Sequence, residues 1–201
     1  MKRISFKDSG GLNLTQSVLS GRKTMTRRIV IEQVEIDAMV RSSLCSTIDL
    51  MRREKIAYIL KHSPYKVGDV VAIQQAYKDI PTIIVNSSYD YHVLSKSAGW
   101  TNKMFVKAEL MPHHIRITDV KVERLQDISD EDCLREGVIV DDVPFVEDNF
   151  HIIPTRYIKH SRGNYWVTPR AAFAALIDKV SGRGTWNSNP LVWCYSFELE
   201  D

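Results

Sequence analysis

The residues best suited to chemistry lie in one short segment, Gly21-Arg22-Lys23-Thr24-Met25-Thr26-Arg27-Arg28. It places four cationic side chains and two hydroxyl groups within eight residues. Guanidinium groups, hydroxyls and the backbone N–H groups beside a glycine together bind phosphate and other anions. The segment is not a Walker loop, because the first glycine of that motif is missing. Its composition predicts an anion-binding loop, although a solvated basic loop has the same composition.

Two further groups suit a nucleic acid. Trp186 lies beside Gly184 and Asn187 in a predicted loop, where it can contact a ligand or simply pack against the core. A second stretch mixes basic and aromatic residues, which fits a phosphate backbone and equally a solvated loop: Arg156, Lys159, His160, Arg162 and Tyr165.

The sequence predicts no metal site and no cofactor. His113 and His114 would point to opposite faces of a strand, and no third ligand has a suitable spacing. Cys45, Cys133 and Cys194 are odd in number and widely spaced, which argues against a disulfide framework and favours a reducing cytoplasm. No apolar run is long enough to span a bilayer, so no membrane contact is expected.

The small net charge of +2 hides an uneven distribution along the chain. Residues 1–61 carry 12 basic and 6 acidic side chains, residues 123–150 carry 2 and 10, and residues 151–186 carry 6 and 1. Blocks of this size predict either a positive face that attracts phosphates or several solvated faces whose charges mix on folding.

The elements that must position these residues are mostly short strands. Apolar spacing and cap residues predict helices over 12–20, over 32–62 in one or two pieces, from Ser129 to Gly137, and from Thr168 to about Val180. Strands are predicted over 29–31, 70–77, 82–85, 89–93, 104–110, 115–125 and 191–199, with irregular chain over 138–165. This pattern predicts an α+β fold on a small, mixed β-barrel.

Several segments together resemble the ASCH domain family, which belongs to the PUA-like superfamily. They are Leu19 to Arg28, Tyr65-Lys66-Val67-Gly68-Asp69-Val70-Val71, Met111-Pro112-His113-His114-Ile115-Arg116-Ile117, Val120 to Gly137, Thr168-Pro169-Arg170-Ala171-Ala172-Phe173 and Trp186 to Trp193. They occur in the family's order, and the last two match its longer, phage-type members. The resemblance implies one PUA-like domain over residues 1–201, with insertions at 32–62 and 138–165.

The resemblance also implies a role with RNA or nucleotides. One branch of the family is an amidohydrolase that deacetylates N4-acetylcytidine, and its catalytic Lys, Thr and Glu fall on Lys23, Thr26 and Glu136. An Arg of that branch falls on Arg28. Many members have an Arg-Glu pair where this chain has Gln74-Gln75. Further ligand contacts are predicted for Arg22, Thr24, Arg27, Arg28, Gln75, Arg116 and Trp186.

Three hypotheses follow for function. The first is a cytoplasmic module that binds RNA, a nucleoside or a nucleotide in a pocket formed by the basic segment and Glu136. The second is an amidohydrolase with Thr26 as nucleophile, Lys23 as base and Glu136 moving protons to the leaving amine. Against this hypothesis, Lys23 and Glu136 could simply form a structural salt bridge. The third is a protein-interaction accessory domain of a phage or mobile element that uses the acidic 123–150 segment.

Overall fold

The computed structural model describes residues 1–80, 88–141, 145–147, 151–153, 156–158 and 165–200 and has an α+β fold. The strands are β1 (Lys2–Ile4), β2 (Met25–Ile29), β3 (Val70–Ile73), β4 (His114–Arg124), β5 (Ile139–Asp141), β6 (Phe145–Glu147), β7 (His151–Ile153), β8 (Arg156–Ile158), β9 (Tyr165–Trp166) and β10 (Leu191–Glu200). The helices are α1 (Leu14–Leu19), α2 (Glu32–Ser42), α3 (Ile48–Lys61), α4 (Ser88–Ser95), α5 (Asp130–Arg135), α6 (Pro169–Ser181) and α7 (Thr185–Ser188).

A mixed five-stranded sheet with the order β1-β3-β4-β10-β2 forms the centre of the molecule. Only β1 and β3 pair in parallel, and the other pairs are antiparallel. Both faces of β10 are covered, since Val192, Trp193, Cys194 and Tyr195 are all buried. A bulge between Ser196 and Phe197 bends the pairing of β10 with β4.

The predicted barrel is not closed. In the part of the chain that the structure describes, β1 and β2 are the two edges of the sheet and do not pair with each other. The edges nevertheless approach, because the Arg28 guanidinium on β2 donates a hydrogen bond to the carbonyl oxygen of Ser5, just after β1. The gap between the edges is where the candidate site lies.

The predicted helices are confirmed at their caps. The Ser129 hydroxyl accepts a hydrogen bond from the Asp132 N–H at the start of α5, and the Thr168 hydroxyl accepts one from the Ala171 N–H at the start of α6. Gly137 and Gly182 have positive φ angles where these helices end, as predicted for glycine stops.

Residues 32–62, which were predicted to be helical in one or two pieces, form two helices, α2 and α3. It joins the core through α3, where Ile59 is fully buried. The Trp193 indole N–H, on β10, donates to the Ile59 carbonyl oxygen at 3.0 Å, and the Tyr195 hydroxyl lies 2.7 Å from that of Ser63.

Some predicted strands are wrong. Residues 89–93 lie in α4, and residues 104–110 contain two short 3-10 turns, Lys103–Phe105 and Ala108–Leu110. Here Val106 and Ala108 pack in a small second cluster around Tyr77, while Met104 and Phe105 are exposed. The strand predicted at 29–31 instead spans Met25–Ile29, inside the basic segment. Within 138–165, short strands replace the predicted irregular chain wherever the structure describes it. Residues 82–85 lie outside the described residues. No helix in the described ranges has the length and apolarity to cross a membrane.

Candidate functional site

A cavity of about 270 Å³ lies at the open edge of the sheet, between the end of β1, strand β2 and helix α6. Because β2 is an edge strand, residues from both of its faces border the cavity. The polar part of the wall contains Lys23, Thr26, Arg27, Arg28 and Glu136. A wider groove of about 880 Å³ shares Ser5, Lys7, Arg28 and Val180 with the cavity and therefore adjoins it.

Lys23 and Glu136 form a buried ion pair in this cavity. The Lys23 ammonium donates to Glu136 Oε2 at 2.5 Å and to the Glu136 carbonyl oxygen at 2.8 Å. Only 3% of the Lys23 side chain and 6% of the Glu136 side chain are exposed. Two glycine turns bring Lys23 and Glu136 together. Gly21 turns the chain after α1 with φ of 71°, just before Lys23, and Gly137 turns it after α5, just beyond Glu136. The two turns are joined by a hydrogen bond from the Thr24 N–H to the Arg135 carbonyl oxygen.

The environment of the cavity lowers the pKa of Lys23. Burial lowers the pKa of the Lys23 ammonium from its ordinary value of 10.5, the Glu136 carboxylate raises it, and the neighbouring Arg28 and Arg27 lower it further. The net direction is downward because the lost hydration of the ammonium outweighs the attraction of one carboxylate. A lysine of this kind is able to act as a base.

Arg27 holds three carboxylates together and has no donor left for a ligand. Its guanidinium binds Glu123 Oε1 at 2.7 Å, Asp132 Oδ2 at 2.9 Å and Glu136 Oε1 at 3.1 Å, and its side chain is fully buried. Lys23 and Arg27 thus each hold one oxygen of the Glu136 carboxyl group. The Arg27 guanidinium therefore positions Glu136 rather than contacting a ligand.

Thr26 and Arg28 complete the polar wall. Thr26 is 5% exposed, and among the residues that the structure describes no side chain forms a hydrogen bond with its hydroxyl. Arg28 lies over the Phe6 ring at 5.8 Å, and the Lys23 ammonium lies over the same ring at 6.0 Å. Burial lowers the pKa of the Arg28 guanidinium from its ordinary value.

The opposite wall of the cavity is apolar and was missed by the sequence analysis. It consists of Leu14 of α1 and Phe173, Leu176, Ile177 and Val180 of α6. The apolar periodicity of α6 predicts that these helix residues are buried. It does not indicate whether they pack against other side chains or line a cavity. Glu123 and Asp132, which bind Arg27, were also missed.

The other predicted site residues lie away from the cavity. Arg22 is exposed, and Thr24 accepts a hydrogen bond from Arg135 at 3.4 Å. Arg116 is paired with Glu200, and Trp186 packs against Phe173 and Arg170. The Gln75 Oε1 atom is buried without a hydrogen bond, and its backbone N–H faces the Met111 sulfur. These residues do not join Lys23, Thr26 and Glu136.

Some charges of the basic and acidic segments pair with one another in the interior of the protein. Lys23 and Arg27 of the basic N-terminal third bind Glu123, Asp132 and Glu136 of the acidic segment. Only Arg22 of the four cations in the predicted anion-binding loop is exposed. Two of the loop's four cations, Lys23 and Arg27, therefore bind carboxylates of the protein itself. Of the basic–aromatic stretch, Lys159, His160 and Arg162 lie outside the described residues.

The described ranges contain no group of three or more side chains able to hold a metal ion.

The chain matches no protein-family model, no curated protein and no solved structure. The resemblance to the ASCH family thus depends on the sequence segments alone.

Proposed function

We propose that this chain is an ASCH-type, PUA-like amidohydrolase that removes the acyl group from an N4-acylated cytosine nucleoside. The observation that carries the proposal is that Glu136, far away in the sequence, borders the same cavity as Lys23 and Thr26. The Lys–Glu pair is buried, and a buried ion pair costs more to desolvate than a surface pair. An ion pair placed beside a cavity and a threonine hydroxyl fits catalysis better than it fits stabilisation alone.

The chemistry has two steps. Neutral Lys23 takes the proton of the Thr26 hydroxyl while Oγ1 bonds to the acyl carbon, and the oxyanion that forms faces the Arg28 guanidinium. The C–N bond then breaks, and the cytosine amine leaves with the proton from Lys23. Water then loses a proton to Lys23 and adds to the acyl carbon. The bond from that carbon to Thr26 Oγ1 breaks, Lys23 returns the proton to Oγ1, and the carboxylic acid leaves. Glu136 orients Lys23 through their hydrogen bond and lies against the Lys23 ammonium when Lys23 holds the proton.

The shape of the site suits such a substrate. The cavity accepts a base-sized group between polar and apolar walls, and the adjoining groove has room for a ribose. In this arrangement the acylated edge of the base faces Lys23 and Thr26.

The structure gives less support to binding led by phosphate contacts. Two lysines of the adjoining groove already have partners within the protein. The Lys7 ammonium donates to the Lys179 carbonyl oxygen at 2.7 Å, and the Lys103 ammonium binds Asp8 at 2.7 Å. RNA binding and the accessory role of the acidic segment stay predictions. The salt dependence of RNA affinity tests the first, because a slope near zero contradicts recognition through phosphates.

The test is hydrolysis of N4-acetylcytidine followed by mass spectrometry. Wild-type protein and the Arg22→Ala variant, which changes the exposed neighbour of Lys23, should both release cytidine. Lys23→Ala should reduce kcat/KM by about a hundredfold or more, as loss of a general base does. No turnover above the Lys23→Ala variant contradicts the proposed function.

A further inference from the structure

Strand β2 has a free edge that faces the cavity. Side chains of consecutive strand residues point to opposite faces of a sheet, yet the cavity touches Thr26, Arg27, Arg28 and Ile29 in succession. A cavity bordered by four consecutive residues lies against the edge of the strand rather than against one face. In the described part of the chain, β10 is the only strand that pairs with β2. The main-chain groups of the other edge are therefore directed toward the cavity.

The pairing of β2 with β10 identifies these main-chain groups. The Val30 N–H donates to the Leu191 carbonyl oxygen at 2.9 Å. The Phe197 N–H donates to the Thr24 carbonyl oxygen, also at 2.9 Å. Hydrogen-bonded pairs alternate with non-bonded pairs in an antiparallel ladder. The even-numbered residues therefore bond to β10, and the N–H and C=O groups of the odd-numbered residues of β2 point away from it.

Two of these groups beside the cavity have no hydrogen-bond partner among the residues that the structure describes. They are the Arg27 carbonyl oxygen and the Ile29 N–H. Arg27 is 5% exposed, so bulk water is largely kept from it. Buried main-chain groups are almost always satisfied by another segment, by ordered water or by a ligand. An acceptor and a donor side by side on this edge thus mark a binding position.

The depth of the residues along β2 gives the orientation of a ligand. Thr26 and Arg27 are each 5% exposed, whereas Ile29 is 42% exposed. Arg28, between them, borders the adjoining groove as well as the cavity. The strand thus runs from the buried end of the cavity toward its opening. A substrate with its acyl group at Thr26 places its base beside Arg27 and Ile29 and its sugar in the groove.

A further β-strand is the other occupant that a free edge can take. Here Leu14 and the apolar side chains of α6 stand opposite β2, across a cavity of about 270 Å³. The Arg28 guanidinium also bridges the gap to the Ser5 carbonyl oxygen. This enclosed space takes a flat ring rather than an extended chain with side chains on both of its faces.

An N4-acylated cytosine presents the matching pair of groups. Its N4–H is a donor and its ring N3 an acceptor, and the two lie side by side when the acyl group is turned away from N3. We propose that the free edge of β2 reads the base, with the Arg27 carbonyl oxygen accepting from N4–H and the Ile29 N–H donating to N3. This inference rests on the proposed function and narrows its substrates to acylated bases with a ring acceptor beside the N–H.

A substrate analogue tests the proposal. Replacing N3 of N4-acetylcytidine by C–H removes one hydrogen bond and leaves the Ile29 N–H unpaired. We expect kcat/KM for hydrolysis to fall at least about tenfold, because a site built to hydrogen-bond its substrate rejects an analogue that lacks the bond. The affinity of Thr26→Val, which lacks the proposed nucleophile, should fall by a similar factor. An analogue that is bound and hydrolysed as well as N4-acetylcytidine overturns the proposal.

Neighbouring amides of β2 provide a matched control. The Val30 N–H is bonded to Leu191, whereas the Ile29 N–H is free for a ligand. In 1H–15N NMR spectra of Thr26→Val, N4-acetylcytidine should move the Ile29 amide proton downfield and leave that of Val30 nearly unchanged. The N3-replaced analogue should not move the Ile29 signal downfield. An Ile29 signal that does not respond to bound N4-acetylcytidine contradicts the proposed contact.

These measurements separate the inference from the proposed function. Binding that depends on N3 and shifts the Ile29 amide, without hydrolysis by the wild type, would refute the reaction and support recognition by the edge. Hydrolysis of both compounds at equal rates would support the reaction and refute recognition by the edge. Absence of binding by either compound would refute both.

Discussion

At the scale of single residues, the site depends on two side chains: Lys23, whose pKa burial lowers, and Thr26, whose hydroxyl borders the cavity. Lys23 is held in place by Glu136, and Thr26 lies on the same cavity wall. The Arg27 guanidinium contributes by fixing Glu136 and is not itself a contact for substrate. These separate roles lead to two predictions about neighbouring residues of the same type.

Thr26→Val keeps the shape of the side chain and removes the proposed nucleophile. We expect kcat for N4-acetylcytidine to fall by at least about a hundredfold. Thr24→Val, two residues earlier and outside the cavity, should keep kcat within a few-fold of the wild-type value. Equal rates for Thr26→Val and the wild type would show that this hydroxyl does no chemistry.

Arg27→Met leaves three carboxylates without their shared cation. We expect the free energy of unfolding to fall by about 3 kcal/mol, because the clustered carboxylates lose their central cation and keep only the pairs with Lys23 and Lys121. Arg22→Met, in the same segment but exposed, should change it by about 0.5 kcal/mol or less. Urea unfolding measures both values, and a loss below about 1 kcal/mol for Arg27→Met contradicts the role given to this guanidinium.

At the scale of elements, the helix caps were predictable and the edge strand was not. Ser129, Thr168, Gly137 and Gly182 act locally, so their effects are readable from neighbouring residues. The segment from Met25 to Ile29 looks like a polar connector, because the acids that neutralise Arg27 lie about a hundred residues later. Long-range pairing of this kind leaves no periodic signal in the sequence.

The helical hairpin is predictable as an insertion, but its attachment to the core is not. Ile59 and Ile48 are the same residue type in the same helix, yet they are 0% and 82% exposed. Ile59→Ala should lower the free energy of unfolding by about 2–5 kcal/mol through lost burial and a residual cavity, and Ile48→Ala by less than about 0.5 kcal/mol. Equal effects in thermal or urea unfolding would contradict the packing of α3 on β10.

At the scale of the whole molecule, charges that are separated along the chain meet in its interior. The basic and acidic blocks are visible in the sequence, which predicted either a positive face or charges that mix on folding. Lys23 and Arg27 follow the second alternative, because both bind carboxylates of the acidic segment. The four residues carried over from the resemblance, Lys23, Thr26, Arg28 and Glu136, border the cavity, whereas other predicted contacts such as Arg116 and Trp186 lie away from it. The resemblance did not predict that the sheet stays open there or that α6 closes the apolar side, because both depend on tertiary packing.

This arrangement predicts the response of stability to acid. Burial raises the pKa values of Glu123 and Asp132, but their ion pairs with Arg27 and Lys121 outweigh it and hold both values below those of the unfolded chain. The stabilisation is complete above the unfolded pKa values of about 4 and is lost as the pH falls through the lower folded values. Glu123→Gln should flatten this acid limb in unfolding experiments between pH 6 and pH 2. An unchanged limb contradicts the assignment.

The measurement that tests the catalytic cavity most directly is kcat/KM for N4-acetylcytidine as a function of pH, corrected for spontaneous hydrolysis. Because Lys23 must be neutral to take the Thr26 proton, the account predicts a rate that rises with pH through a midpoint below 10.5. Lys23→Ala should lose this rising limb together with the activity. Absence of hydrolysis at every pH, or a rate that does not depend on pH below 10.5, would contradict the account.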